Sequence, residues 1–287
     1  MTATLPTGKT ITTQQVYTLF AKRDSQGNKG TFGAAAILGG AAGMTGAAIL
    51  AGRAALKTGA GKVFVGLTQL PLPVSYDNQQ PELMLHAAPE LLAQAAQMQA
   101  WAAGCGLGHS EQALSWLRQL FISRKNVPLI VDADGLNALA CGAVAPTWGR
   151  ADVVLTPHPA EAARLLGIST EQVQADRPAA AQSLARQYKA WVVLKGAGSI
   201  VCAPDQSWQI NLTGNVGLAT GGTGDVLTGI LVSLLAQGIP THLAIPAGVW
   251  LHGSAADRLV ARGIGPIGLT AGDLADAVRD IRNQRTL

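Results

Sequence analysis

Residues 211–238 read NLTGNVGLATGGTGDVLTGILVSLLAQG. Five glycines and three threonines lead into an apolar run that carries no charge after Asp225. The run from Val226 to Ala236 is shorter than the ~20 residues a bilayer span needs and contains Thr228, Gly229 and Ser233, so a buried helix from Gly224 to Gln237 is expected. Gly221, Gly222 and Gly224 leave backbone N–H groups uncovered where that helix starts. Unpaired donors and the positive end of the helix dipole then face one point, a place for a phosphate or a transferring phosphoryl group. Asp225 would repel an anion there unless it has chemical work, such as general-base action on a substrate hydroxyl. The alternative for Asp225 is a first-turn helix acid of modest stabilising value.

Outward from this stretch, apolar segments of four to six residues alternate with longer Ala- and Leu-rich helical patterns, which indicates repeated βα units and an α/β fold. Expected strands are Ala34–Leu38, Val63–Leu67, Trp101–Cys105, Leu129–Asp132, Val153–Thr156, Trp191–Lys195 and Ser199–Cys202. Their nearly continuous apolar character suits a parallel sheet covered on both faces. Expected helices are Thr45–Thr58, Pro89–Gln99, Glu111–Ile122, Pro159–Leu166, Arg177–Tyr188, Gly224–Gln237, Thr241–Ala261 and Ala271–Asn283, most of them closed by Gly or Pro.

The 287 residues are 48% hydrophobic and 13% charged, which excludes a disordered chain. Glycine and proline make up about 17% without a fixed period, against a background near 12%, so the excess signals turns. With no repeat and no long polar linker, one domain over 1–287 is expected. Residues 1–28 then form an N-terminal extension carrying a short helix Gln14–Ala21 capped by Thr12 or Thr13. The net charge of +4 is spread along the chain, which fits a small anionic ligand better than nucleic acid. Cys105, Cys141 and Cys202 form no CxxC pair, which argues against disulfides or zinc and suits a reducing cytoplasm. The first ten residues lack the pattern of a signal peptide.

Other segments carry weaker local signals. KGAGS, Lys195 to Ser199, ends a strand and opens a turn, as a nucleotide loop at the carboxyl edge of a parallel sheet does, or as an ordinary β-turn does. Lys195 there can meet phosphate as a point charge. TPHPAE, Thr156 to Glu161, places His158 at a strand-to-helix corner with Pro159 at the first helical position. His158 read alone is a capping or packed histidine, and Glu161 a solvated helix residue. Asp132 and Asp134 in VDADGLN read as strand-end acids that cap the next helix. MTGAAILAG, Met44 to Gly52, sets small residues at a helix start, for close approach of a flat ligand or simply for helix packing.

Gly222-Thr223-Gly224-Asp225 at the head of a long apolar helix resembles the anion-hole motif of ribokinase-like kinases. Five ordered segments together resemble the ADP/ATP-dependent NAD(P)H-hydrate dehydratase family, from about Lys29 to Asp257. They are KGTFGAAAILGGAAGMTGAAILAGRAALKTGAGKV from Lys29, VDADGLNAL from Val131, TPHPAEAARLLG from Thr156, VVLKGAGSIV from Val192 and GGTGDVLTG from Gly221.

The resemblance implies a ribokinase-like fold, a central mostly parallel sheet with helices on both faces. It implies dehydration of the (S)-epimer of NADHX or NADPHX, driven by ADP with ATP as the alternative donor, with Mg2+ present and AMP and phosphate released. It assigns Asp225, Gly222, Thr223 and Gly224 to catalysis. Gly46, Ala47, Ala48, Gly106, His158 and Asp225 go to the hydrate; Lys195, Gly196, Ala197, Gly198, Ser199 and Gly224 go to the nucleotide; Glu161 goes to Mg2+ through water. The short stretch before the first motif implies that the partner epimerase is a separate protein. The resemblance also implies a cytoplasmic homo-oligomer, such as a tetramer, with no nucleic-acid or membrane partner. A small-molecule kinase of the same fold and a catalytically silent nucleotide-binding module stay open beside it. His86, His109, His242 and His252 receive no role.

Overall fold

Short apolar segments can pair as parallel strands only if helices cover both faces of the sheet, and the chain satisfies this with a sheet that has ten strands among the described residues. The computed structural model describes residues 8–17, 23–124, 126–148 and 152–284. In chain order the strands are β1 Lys9–Thr10, β2 Ala34–Gly39, β3 Lys62–Leu67, β4 Met84–Ala87, β5 Ala100–Ala103, β6 Leu129–Val131, β7 Val153–Leu155, β8 Trp191–Leu194, β9 Ser199–Cys202 and β10 Trp208–Asn211. They lie in the order β1-β10-β9-β8-β7-β6-β5-β2-β3-β4. The seven from β8 to β4 are parallel, and β9 runs antiparallel to both of its neighbours.

The helices are α1 Thr13–Tyr17, α2 Thr45–Thr58, α3 Ala88–Leu92, α4 Glu111–Ser123, α5 Ala133–Ala140, α6 Pro159–Leu166, α7 Thr170–Ala175, α8 Arg177–Tyr188, α9 Thr223–Ala236, α10 Thr241–Ala261 and α11 Ala271–Asn283. Successive strand side chains point to opposite faces, and the core divides accordingly. Ile37, Val65, Ala102, Ile130, Val154 and Val193 pack with α2, α9, α10 and α11. Leu38, Trp101, Ala103, Val131, Leu155 and Leu194 pack with α3, α4, α5, α6 and α8.

Helix α9 is deeply set, with twelve of its fourteen residues buried. The polar residues that interrupt its apolar run all have structural work. A Cβ at Gly229 would meet the Ala51 carbonyl oxygen at 2.1 Å, so only glycine lets α9 lie this close to α2. Ser233 donates to the Ala55 carbonyl at 2.7 Å and accepts from the Ala60 N–H at 3.0 Å. Thr228 donates to Asp132 Oδ2 at 2.8 Å. These contacts fix the depth of α9 and therefore the height at which its amino end emerges.

The structure departs from the sequence reading at several places. The expected helix Pro89–Gln99 is α3 followed by a 3₁₀ turn Ala95–Gln97 and an extended Met98, because Gln99 leaves the helix to accept the Ala34 N–H at 2.8 Å. Strands β6, β7 and β8 each stop one residue earlier than expected, and β5 two; the residues beyond turn into the loops at the sheet edge. Strands β1, β4 and β10 and helix α7 are absent from the sequence reading, and α5 enters it only as the helix after VDAD, without bounds. Residues 18–21 of the expected helix Gln14–Ala21 lie outside the described residues.

Candidate functional site

The carboxyl ends of the parallel strands are locked to one another in steps. Gly40 N donates to Cys105 O at 3.0 Å, Gly104 N to Leu38 O at 3.0 Å, Asp132 N to Ala103 O at 3.0 Å, Thr156 N to Val131 O at 3.2 Å and Lys195 N to Pro157 O at 2.8 Å. This edge carries the loops that sequence reading had singled out, and the amino end of α9 comes down onto it. A cleft of about 480 Å³, lined by Pro128, Asp152, Trp191 and Pro240, opens at the opposite, amino ends of the strands, away from this chemistry.

Asp132, 2% exposed, is the centre of the edge. Its side chain does not cap α5, contrary to the expectation from VDADGLN. One carboxylate oxygen accepts Lys195 Nζ at 2.7 Å and the other accepts Thr228 Oγ1 at 2.8 Å. Glu161 Oε2 lies 3.8 Å from the same ammonium. Burial alone would lower the Lys195 pKa, but the two carboxylates outweigh it and hold the ammonium above its ordinary value. Asp134 accepts the Gly108 N–H at 2.9 Å and faces the exposed His109.

His158 closes the neighbouring corner. Its Nδ1 accepts the N–H groups of Ala160 and Glu161 at 3.1 and 3.3 Å, while Glu161 Oε2 accepts the His158 N–H at 2.7 Å. This reciprocal capping box makes Glu161 a buried structural acid, 6% exposed, rather than the solvated helix residue it looked like in isolation. An Nδ1 that accepts leaves the imidazole proton on Nε2. Burial, the leading influence, lowers the His158 pKa, so the ring is neutral with a fixed tautomer.

At the head of α9, Gly222 takes φ +89°, a left-handed conformation that a side chain disfavours. Thr223 Oγ1 donates toward Leu218 O at 2.8 Å and Thr220 O at 3.0 Å, closing the loop on itself. The N–H groups of Gly224 and Asp225 lie in the first turn, where a helix supplies no carbonyl partner. A Cβ on Gly224 would stand 3.5 Å from Lys195 Nζ and 3.9 Å from Asp132 Oδ2. With hydrogen there instead, the peptide backbone faces the Lys195–Asp132 cluster directly. Burial pushes the Asp225 carboxyl up to about 6, with Asp132 adding to the effect; a hydrogen bond from the Cys105 thiol and the charge of Lys195 oppose it. The Cys105 thiol is itself raised well above its ordinary value, first by burial and then by Asp225.

The loop Lys195–Ser199 turns through Gly196 and Gly198, at φ +136° and +65°. Ser199 Oγ closes it on Gly196 O at 2.9 Å. Sequence reading missed the residue that shapes it: Arg177, at the start of α8, donates to Leu194 O and Lys195 O, both at 3.2 Å, and to Ala197 O. Nothing local in the sequence connects Arg177 to a loop some twenty residues away. The small residues expected at the hydrate divide. A Cβ at Gly46 would meet nothing within 4 Å, and Gly106 sits against Met44 and Ala47, whereas the Ala48 side chain is fully buried in the helix–sheet core.

Because the Gly198 backbone is left-handed, Gly198→Val would strain the fold as well as crowd a ligand. Gly198→Asn separates the two effects, since asparagine tolerates this conformation and its Cβ would approach only the Ile210 side chain, at 3.2 Å. The expected result is about tenfold weaker ADP binding by calorimetry, equivalent to about 1.4 kcal/mol, with little change in Tm. Equal losses of binding and stability would show that the segment is only a turn.

A parallel sheet whose carboxyl edge meets a glycine-bounded helix terminus, with an acid in its first turn, defines the ribokinase-like class of α/β enzymes. A ribokinase-like superfamily protein from Enterococcus faecalis superposes with TM-score 0.87 over 99% of both chains at 26% identity. Within that class the chain belongs to the NAD(P)H-hydrate dehydratase family, an enzyme family of the lyase type, whose profile matches residues 35–279. It is 46% identical over 270 residues to the ADP-dependent (S)-NAD(P)H-hydrate dehydratase of Neisseria meningitidis, covering 93% of this chain and 91% of that one. The Bacillus subtilis ADP/ATP-dependent NAD(P)H-hydrate dehydratase, co-crystallised with ATP/Mg2+, superposes with TM-score 0.84 at 30% identity, over 98% of this chain and 99% of that one. The bifunctional NAD(P)H-hydrate repair enzyme Nnr of Moorella thermoacetica is 40% identical over 267 residues, and the chain spans half the length of that relative. No helix among the described residues is long and apolar enough to cross a membrane.

Proposed function

We propose that the chain uses ADP to dehydrate the (S)-hydrates of NADH and NADPH, restoring the cofactors and releasing AMP and phosphate. The observation that carries this reading is the placement of Asp225: a half-buried carboxylate, its pKa pushed up to about 6 by desolvation, in the first turn of α9 beside the N–H groups of Gly224 and Asp225.

The hydrate bears a hydroxyl at C6 of the reduced nicotinamide ring, and hydroxide is a poor leaving group. Asp225 removes the hydroxyl proton as the oxygen attacks the terminal phosphorus of ADP, so that an O–P bond forms and the bond to the AMP oxygen breaks. The N–H donors of Gly222 to Gly224 stabilise the charge on the transferring group. Loss of phosphate from C6, with a proton leaving the adjacent ring carbon, restores the double bond. Gly196 to Ser199 hold the nucleotide, with the Arg177 clamp behind them. Gly46, Ala47, Gly106 and the Nε2–H of His158 border the hydrate.

Among the described residues no group of three or more His, Cys, Asp or Glu side chains could hold a metal ion. The donor set therefore suits Mg2+ carried mainly by phosphate oxygens and water, with Glu161 reaching it through water, which matches the habits of this ion. When bound, such an ion would neutralise phosphate charge. An (S)-specific reaction requires that the (R)-hydrate first be epimerised, and the chain works in the cytoplasm as a homo-oligomer.

The test is incubation of the protein with hydrate, Mg2+ and either ADP or ATP, following recovery of dihydronicotinamide absorbance and release of phosphate. Both should appear in equal amounts, and only with all components present. Stoichiometric phosphorylation of a sugar or vitamin precursor without cofactor recovery would place the chain among the kinases of this fold instead.

A further inference from the structure

His252 lies in the middle of α10, 9% exposed, on the face that packs behind the head of α9. Its Nε2 is 2.9 Å from the carbonyl oxygen of Thr223. A carbonyl can only accept, so Nε2 carries the proton and donates it. Burial brings the His252 pKa down to about 4, so the ring is neutral at physiological pH and this tautomer persists.

The carbonyl it holds belongs to the Thr223–Gly224 peptide. In a trans peptide the C=O and N–H point in opposite directions, so a donor pressing on the Thr223 oxygen from behind aims the Gly224 N–H forward, out of the helix terminus. Donation to a carbonyl also polarises the amide and strengthens the N–H as a donor. This peptide needs an external hold, because Gly222 and Gly224 on either side of Thr223 restrict the backbone least. We propose that His252 is a positioning residue of the phosphoryl-transfer site, orienting and polarising the Thr223–Gly224 peptide so that the Gly224 N–H meets the charge that develops on the transferring group. The proposal rests on reading Gly222 to Gly224 as the anion hole.

The experiment compares His252→Phe, which keeps a ring but removes the donor, with His252→Gln, whose amide reaches as far as Nε2. In His252→Phe, kcat should fall about tenfold, less than the 10²–10³ that deletion of an oxyanion donor costs. KM for the hydrate should stay within about twofold, and His252→Gln should recover most of the rate. In the ligand-free protein the Gly224 amide proton resonance should move upfield in His252→Phe and return in His252→Gln. If His252→Phe fails to fold, His252→Asn takes its place, since its amide is too short to reach Thr223 O. Unchanged kcat in the folded donor-less variant would overturn the proposal. So would equal losses in His252→Phe and His252→Gln that follow Tm. An inactive wild type would instead overturn the anion-hole reading beneath it.

Discussion

Asp225→Asn should lower kcat by 10² to 10⁴, roughly 3 to 5 kcal/mol in the barrier, while raising the melting temperature. The two effects have one cause. In the folded chain, burial places the Asp225 pKa at about 6, against an ordinary carboxylate value of 3.8. Between about pH 4 and pH 6 the native state therefore holds a proton that the unfolded chain has lost. Stability falls as pH rises through that window, and above it the charged carboxylate costs the fold up to about 3 kcal/mol. Asparagine carries no charge to desolvate. Read from sequence alone, Asp225 contributes at most ~1 kcal/mol through the helix dipole and its loss barely moves Tm; burial changes that expectation to a gain of about 2 to 5 °C. Wild-type kcat should decline as pH drops below about 6, whereas the residual rate of the variant should lack that limb. ADP affinity should hold or improve, because a negative charge beside the phosphates is gone. Near-normal turnover with a lower Tm would show that Asp225 is a helix-terminus residue and no base.

The parts of this architecture legible in the sequence are those where one local pattern reports one environment. Val153 to Leu155 or Trp191 to Leu194 are apolar because helices cover both faces, and the helical patterns from Thr45 and Thr241 run to the residues where the helices end. Strand β10, second from one edge of the sheet, is only half-buried along most of its length, so its polar residues hide it. The glycine-rich loop before α9 points to the proposed anion site because glycine, helix start and acid are adjacent in sequence. The residues that support it are not adjacent. His252 sits in an apolar helix and looks like core; Cys105 reads as a small hydrophobe, which it is, although its thiol also touches Asp225. Arg177 and Asp132 act across distances of 18 and 63 residues. Such contacts arise where the sheet brings strand ends together, and no periodicity encodes them.

Lys195→Met should be the most destabilising single change at the site, and its pattern decides what the lysine is for. From sequence, Lys195 is a point charge for phosphate. In the structure its ammonium is already engaged, 2.7 Å from Asp132 Oδ1 and 3.8 Å from Glu161 Oε2. Methionine keeps the length and packing of the side chain but leaves Asp132, 2% exposed, with Thr228 alone. Breaking a buried pair from one side typically costs 3 to 5 kcal/mol; because Lys195 keeps some exposure, about 3 kcal/mol is expected, a fall of roughly 6 °C in Tm. Removing both charges restores balance, so Lys195→Met with Asp132→Asn should recover most of that loss in a double-mutant cycle. In the wild type the raised Lys195 pKa means that its contribution is complete below about 10.5 and is lost only as pH rises through the still higher folded value. In Lys195→Met the acid limb of kcat should move up, since the Lys195 charge helps keep the Asp225 pKa from rising further. An unchanged Tm combined with weak ADP binding would return Lys195 to the phosphate and show that the pair with Asp132 holds nothing together.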